Sequence, residues 1–192
     1  VRRWRGRYAS GMNQTLSAPG WGAVARAFHW GVAALLLVQV PLAWYMTDLP
    51  LGPAKLGNYA LHKSLGITLF ALMALRLAWR LTHPAPPLPP GTPGWQRGLA
   101  RLTQGILYFV MLAMPITGWL NSSAANFPVS VFGLFTLPDL IPPDPARQLG
   151  FEQSHRVQSY LLLAAFGAHV AGALYHQFVR RDGTVRAMLT GR

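Results

Sequence analysis

The chain has 192 residues, of which 52% are apolar and only 11% are charged, and it contains no cysteine. Disulfides, thiolate metal ligands and cysteine-held iron–sulfur clusters are therefore excluded. The formal net charge of +12 would suggest nucleic-acid binding in a soluble protein, so the meaning of the charge depends on where the basic residues lie.

Residues 1–20 are rich in arginine and then in serine, glycine and proline. This composition predicts a flexible basic arm that precedes one domain over residues 21–192. Four segments of that domain approach the roughly 20 apolar residues that cross a bilayer as a helix. They cover residues 26–46, 62–81, 102–120 and 155–179.

Pro41 and Pro115 lie inside two of these segments, which membrane helices tolerate. Four apolar segments with short connections predict an all-α fold, an integral membrane four-helix up-down bundle. A soluble protein with four buried helices is the alternative, and finding four such segments in one chain argues against it.

Two connections are distinctive. His83–Trp95 (HPAPPLPPGTPGW) is too rich in proline to be helical, so we expect a stiff, extended segment. Residues 121–154 form the longest connection, and its centre, FPVSVFGLFTLPDL, is too short and broken to span. We expect this centre to lie along the membrane interface.

Basic residues cluster before the first span, around the second connection and after the fourth span, whereas the other side has equal numbers of basic and acidic residues. By the positive-inside rule, both termini are expected in the cytoplasm. The basicity is then a signal of topology and of contact with anionic lipid, and no nucleic-acid partner is expected.

Four of the six histidines pair by depth in this topology. His155 and His169 are 14 residues apart, so they lie on one helix face about 21 Å apart along the axis. His62 opens the second span at the outer surface and His29 lies near the cytoplasmic start of the first. We call His62 and His155 the outer pair, and His29 and His169 the inner pair.

Each level offers two imidazoles, and no span contains a carboxylate or thiolate. Structural zinc prefers four protein ligands, and catalytic zinc three plus water. Two axial imidazoles and four porphyrin nitrogens complete an octahedral iron, so the pattern favours two bis-histidine b haems and electron transfer. For any single histidine, a helix–helix hydrogen bond is the alternative.

Several neighbouring residues fit such a site. Gly66, one turn after the outer ligand, leaves space for a flat macrocycle, as do Gly167 and Gly172 around His169, although ordinary helix packing explains small residues equally well. Arg76 is level with the inner pair and needs an anion such as a haem propionate. Snorkelling to the headgroups is its alternative.

Three further residues are candidates for the reaction itself. His176 has no partner histidine at its depth, so it is either an interfacial residue or a donor of a hydrogen bond or proton to a quinone carbonyl, with Gln104 nearby. Lys63 and Arg156, each adjacent to an outer ligand, would attract an anionic donor such as superoxide. Their alternative role is as interface anchors.

The motifs of the chain resemble those of the bacterial cytochrome b561 family from Arg26 to Arg192. These motifs are RAFHW (26–30), HKSLG (62–66), ITGWL (116–120), VFGLFTLP (131–138), HVAGALYH (169–176) and RDGTVRAML (181–189).

The resemblance implies a multi-pass protein of the bacterial inner membrane with two non-covalent b haems, ligated at His29, His62, His155 and His169. Some members of the family resemble a superoxide oxidase that passes electrons to ubiquinone, and the position of His176 then lies at the quinone site. Gln104 departs from the family, many members of which have a histidine there.

We therefore expect an oxidoreductase that transfers electrons across the membrane from a periplasmic small-molecule or protein donor, such as superoxide, to ubiquinone. Lys63, Arg156 and His176 are the predicted catalytic residues. One alternative is a membrane-anchor cytochrome b subunit that links a dehydrogenase or hydrogenase to quinone. Another is a histidine-lined metal-ion transporter, although the spans lack the Asp and Glu that ion relays use.

Overall fold

The computed structural model describes residues 20–89 and 91–191, so nearly all of the predicted arm over residues 1–20 lies outside the described part. Four long helices dominate: α1 (Ala23–Asp48), α2 (Pro53–Thr82), α3 (Gly94–Ala124) and α4 (Pro145–Tyr175). The smaller elements are strands β1 (Val129–Val131) and β2 (Phe135–Leu137), a π-helical turn (His176–Arg180) and helix α5 (Thr184–Thr190).

All four long helices are long and apolar enough to cross a membrane, which confirms the predicted membrane bundle. They extend beyond the predicted spans because hydropathy detects only the lipid-facing part of a helix. The first turns of α4, for example, are polar and begin at Pro145. Asp144 caps them by accepting hydrogen bonds from the backbone N–H groups of Ala146 and Arg147 at 3.0 and 3.1 Å, as N-cap residues do.

The interior is a cluster of apolar side chains drawn from all four long helices, with many other large apolar side chains exposed on the outside. That exposure is the pattern expected where the solvent is lipid. The buried members of the cluster are Val32, Leu36, Leu69, Met73, Val110, Met111 and Leu162.

The helices do not pack evenly around this cluster. Helix α1 packs along α2, α2 along α3, and α3 extensively along α4, whereas the backbone of α4 approaches α1 and α2 closely at few points. An apolar cavity of about 220 Å³ lies between α1 and α4, lined by residues that include Leu37, Pro41, Leu163 and Phe166. The side of α4 that faces α1 and α2 is therefore the loosely packed side of the bundle.

The segment between α3 and α4 forms an antiparallel β-hairpin, a structure that the sequence pattern did not indicate. Val129 pairs with Leu137, and β1 packs on the start of α2. The buried Ser64 hydroxyl of α2 accepts a hydrogen bond from the N–H of Phe132 at 2.9 Å and lies 3.1 Å from the carbonyl of Ser130. Because the chain holds the hairpin between α3 and α4, these bonds connect both halves of the bundle at this end.

At the opposite end the chain turns back after α4. Helix α5 lies against the start of α1, where Arg26 Nη1 donates to the carbonyl of Leu189 at 2.8 Å and Trp30 Nε1 donates to the carbonyl of Met188 at 3.1 Å. These donors satisfy carbonyls at the C-terminal end of α5 that have no partner within the helix. The C-terminal segment is thus fixed across the end of the bundle.

Candidate functional site

Two pairs of histidine rings bridge the loosely packed side of α4. The rings of His62 on α2 and His155 on α4 have their centroids 6.4 Å apart at an interplanar angle of 75°. The rings of His29 on α1 and His169 on α4 have theirs 6.0 Å apart at 55°. The structure therefore brings together the outer pair and the inner pair that helix depth predicts.

These separations fit two imidazoles that share one metal ion. With metal–nitrogen bonds of about 2.0–2.1 Å, two opposed imidazoles have ring centroids roughly 6 Å apart. The hydrogen bonds of the described residues include none between the partners of either pair, so neither pair is held together by a direct bond between its rings. Both pairs thus have the spacing that axial ligation requires.

The outer histidine on α4, His155, is oriented by α3. Nδ1 of His155 lies 3.0 Å from the carbonyl oxygen of Met114, to which it donates when it carries the ring proton, and Nε2 is then left with a free lone pair. Metal-binding histidines commonly fix their tautomer in this way. Thr117 Oγ1 lies 3.4 Å from the same Nδ1 and donates to the Met114 carbonyl at 2.8 Å.

Gly118 lies directly against the His155 ring. A Cβ atom built on Gly118 would be 3.2 Å from Cε1 and 3.4 Å from Nδ1 of that ring, closer than the roughly 3.5–4.0 Å of a relaxed carbon contact. Glycine therefore provides the space that the ring occupies. Sequence reasoning missed this role, although Gly118 lies in the motif ITGWL.

The other outer histidine, His62, is held through its backbone. The amide Nε2 of buried Gln39 on α1 donates to the carbonyl oxygen of His62 at 2.9 Å, and a Cβ atom on Gly66 would lie 3.4 Å from that nitrogen. The space at Gly66 is thus occupied by Gln39. Nδ1 of His62 is buried and has no hydrogen-bond partner within the described residues.

At the inner pair, Arg76 contacts one of the two histidines directly, with Nη2 3.2 Å from Nδ1 of His29. Arginine has only donors, so in this contact Nδ1 accepts and the proton of a neutral ring is on Nε2. Binding a metal through Nε2 requires the opposite tautomer and a different acceptor for Arg76. Gly167 and Gly172 have open space where a Cβ would be.

The two basic residues beside the outer ligands have partners of their own. Lys63 Nζ donates to the carbonyls of Phe127 and Pro128 at 3.1 and 3.4 Å and lies 3.9 Å from the centroid of the Phe127 ring. Arg156 forms an exposed ion pair with Glu152 at 2.8 Å. Lys63 therefore fixes the segment before the hairpin to α2, while the charge of Arg156 is largely balanced.

His176 lies at the end of α4, where its Nδ1 is 2.6 Å from Oδ2 of Asp182. Gln104 is exposed on α3 and is not among the hydrogen-bond partners of His176 in the part of the chain that the structure describes. The sequence reading found His176 but not its acidic partner.

The donor set favours a haem over a protein-only metal site. Within the described residues no group of three or more His, Cys, Asp or Glu side chains could hold a metal ion. Each level offers two imidazoles, which suffice only where another group supplies the remaining ligands. A porphyrin supplies four, so the residues at both levels fit a b-type haem.

Comparison with known proteins gives the same direction. The profile of the family described as prokaryotic cytochrome b561 matches residues 20–191. Cytochrome b561 homolog 2 of Escherichia coli K12 is 33% identical over 187 residues, which cover 93% of this chain and 95% of that protein. A probable superoxide oxidase CybB of Yersinia pestis is 29% identical over 170 residues, covering 84% and 90%.

Proposed function

Because this chain belongs to the prokaryotic cytochrome b561 family, we propose that it binds two b haems and passes electrons through them across the membrane to a quinone. The family makes it a multi-pass bacterial membrane protein with a b-type haem and a role in electron transfer. The number of haems, the donor and the acceptor are the parts that we propose.

The observation that carries the proposal is the separation of the two histidine pairs, 6.4 and 6.0 Å between ring centroids. His62 and His155 would hold one haem, and His29 and His169 the other. When bound, two bis-histidine haems supply one-electron redox chemistry at two depths, with no open coordination position for oxygen. The chain's own residues hold, orient and seal these groups.

Each histidine of the outer pair has a specific support from a neighbouring helix. The carbonyl of Met114 keeps Nε2 of His155 free to ligate, and Gln39 fixes the backbone at His62. At the inner level we assign Arg76 to a haem propionate, because its contact with His29 opposes the ligating tautomer and its guanidinium needs an anion.

We propose superoxide as the donor at the outer pair, in line with the similarity to a probable superoxide oxidase. Lys63 remains a positive charge one residue from an outer ligand, and attraction of an anion to a cationic site raises the association rate. Arg156 contributes less, since Glu152 balances its charge. We place the quinone near His176, at the cytoplasmic side of the membrane, and we place both termini on that side.

The first test is a reduced-minus-oxidised optical spectrum with haem quantitation. We expect two b haems per chain in the unsubstituted protein and one in His155→Ala. One haem per chain in the unsubstituted protein would contradict the proposal.

The second test is stopped-flow mixing with superoxide. We expect haem reduction on the millisecond scale. No reduction by superoxide, together with co-purification of a soluble dehydrogenase or hydrogenase subunit, would instead support the membrane-anchor role.

A further inference from the structure

An acidic partner for His176 lies in the turn that follows α4. Nδ1 of His176 is 2.6 Å from Oδ2 of Asp182, and the two side chains are only 18% and 10% exposed. Among the described residues this is the only hydrogen bond that the His176 ring forms. Nε2 is thus the ring atom available to a ligand.

Several unusual backbone features hold this contact in place. The π-helical turn His176–Arg180 shifts the last turn of α4, and left-handed backbone at Arg181 (φ 50°) and Gly183 (φ 79°) reverses the chain. Oδ1 of Asp182 accepts from the N–H and the hydroxyl of Thr184 at 3.1 and 2.6 Å. Left-handed backbone at a non-glycine residue is costly, so the turn is held by strong local contacts.

Hydrogen bonds keep this carboxylate ionised. Arg180 Nε donates to Oδ2 of Asp182 at 3.2 Å. Burial raises the pKa of Asp182, but the hydrogen bonds from Thr184 and His176 outweigh it and hold the pKa at about 2. Within residues 175–190 the other charged or titratable side chains are Tyr175, Arg181 and Arg186. Arg181 Nε donates to the Phe178 carbonyl, and Arg26 of α1 donates to the Leu189 carbonyl of α5.

We propose that Asp182 is a positioning residue which orients His176 as the proton donor to a quinone carbonyl. Because the carboxylate accepts a hydrogen bond from Nδ1–H throughout, His176 can carry a second proton on Nε2 and release it without turning, as in other carboxylate–histidine pairs. His176 is seven residues, or about 10 Å of helix axis, beyond the inner ligand His169. This inference rests on the proposed reduction of quinone.

The chemistry balances as follows. Two superoxide ions, each losing one electron and becoming dioxygen, supply the two electrons that convert one quinone to a quinol. The quinol also needs two protons. Nε2 of His176 gives one proton to a carbonyl oxygen and is reprotonated from the adjacent aqueous phase. The same aqueous phase supplies the other proton.

The test uses the purified, haem-loaded protein reduced beforehand, with Asp182→Asn as the variant. Asparagine has the same shape and can still accept from Thr184, but it lacks the charge that supports a protonated ring. We expect reoxidation by a short-chain ubiquinone to slow at least about tenfold, since a positioned general acid contributes 10²–10⁴ in rate. Reoxidation by ferricyanide, which takes no proton, stays unchanged.

Two readouts separate positioning from a structural role. The pH profile of quinone reduction should flatten in Asp182→Asn, and proton uptake, followed with an indicator dye, should lag behind haem oxidation. Asp139→Asn removes a charge from the exposed loop after the hairpin and is the control. It should not change the pH profile.

A double-mutant cycle covers the case in which one variant is poorly folded. If Asp182 acts through His176, then Asp182→Asn combined with His176→Gln is no slower than His176→Gln alone, while Asp182→Glu restores part of the rate. The inference is overturned if Asp182→Asn keeps the rate and pH profile of the unsubstituted protein, or if Asp139→Asn reproduces its defect. If the unsubstituted protein itself does not reduce quinone, the proposed function fails first.

Discussion

A methyl group added at Gly118 should weaken the binding of one haem and leave the binding of the other unchanged. The new Cβ would lie 3.2 Å from Cε1 of His155, so the ring must move by a few tenths of an ångström to reach a relaxed contact. That movement is restricted, because Nδ1 is already bonded at 3.0 Å to the Met114 carbonyl of the same helix. The ring therefore turns its Nε2 away from His62.

The expected size follows from the cost of overpacking, about 1–3 kcal/mol. If this cost falls on the bound state, affinity for the outer haem drops roughly 5- to 150-fold. The assay measures haem per chain in Gly118→Ala during incubation with apomyoglobin as a haem acceptor, together with the reduction potentials of the haems that remain. We expect loss of one haem, or a shifted potential for one.

Gly105→Ala is the matched control, since Gly105 lies on the same helix and has nothing within 4 Å of an added Cβ. It shares the small gain in helix propensity, up to about 1 kcal/mol, without touching a ligand. If Gly118→Ala retains both haems with unchanged potentials, the contact between Gly118 and the His155 ring does not position a ligand.

Three other predictions concern single side chains. His155→Ala and His169→Ala should each remove a different haem, so their difference spectra should sum to that of the unsubstituted protein; loss of both haems from either variant would contradict independent sites. Lys63→Met should lower the free energy of unfolding by about 1–3 kcal/mol, because the charged hydrogen bonds of Lys63 hold the segment before the hairpin. Arg156→Gln should change the free energy of unfolding by under about 1 kcal/mol. Thermal unfolding in detergent compares the two variants, and equal effects would argue against this role of Lys63. The pKa of Asp182 falls from 3.8 to about 2 on folding, so its stabilisation is complete above about pH 4 and is lost as the pH falls towards 2; hydrogen exchange of α5 should accelerate over that range, and the same acceleration in Asp182→Asn would assign it to another group.

The pairing of the histidines could be read from the sequence because it depends on two regular quantities. Helix rise predicts depth, and the distribution of basic residues predicts direction, so His155 and His169 were each expected to pair with a histidine of another helix at the same level. Arg76 followed from the same reasoning and lies 3.2 Å from His29. Periodicity within one helix was enough for these residues.

The supports of the site could not be read in this way. Met114 acts through its carbonyl, Gly118 through an absent side chain and Gln39 through a backbone bond to another helix, and such contacts depend on helix rotation. Asp182 reaches His176 only because the backbone reverses after α4. The partners of Lys63 are carbonyls just before a hairpin that the apolar pattern did not reveal, so the sequence indicated only an anion-attracting residue or an interface anchor.

Hydrogen bonds join the elements at both ends of the bundle, whereas its middle contains a gap. Ser64 and Lys63 attach the hairpin to α2 at one end, and Arg26 and Trp30 attach α5 to α1 at the other. Between these attachments, α1 and α4 leave an apolar cavity of about 220 Å³. A hydrophobic molecule therefore enters this gap laterally from among the lipid acyl chains, and not from either aqueous phase.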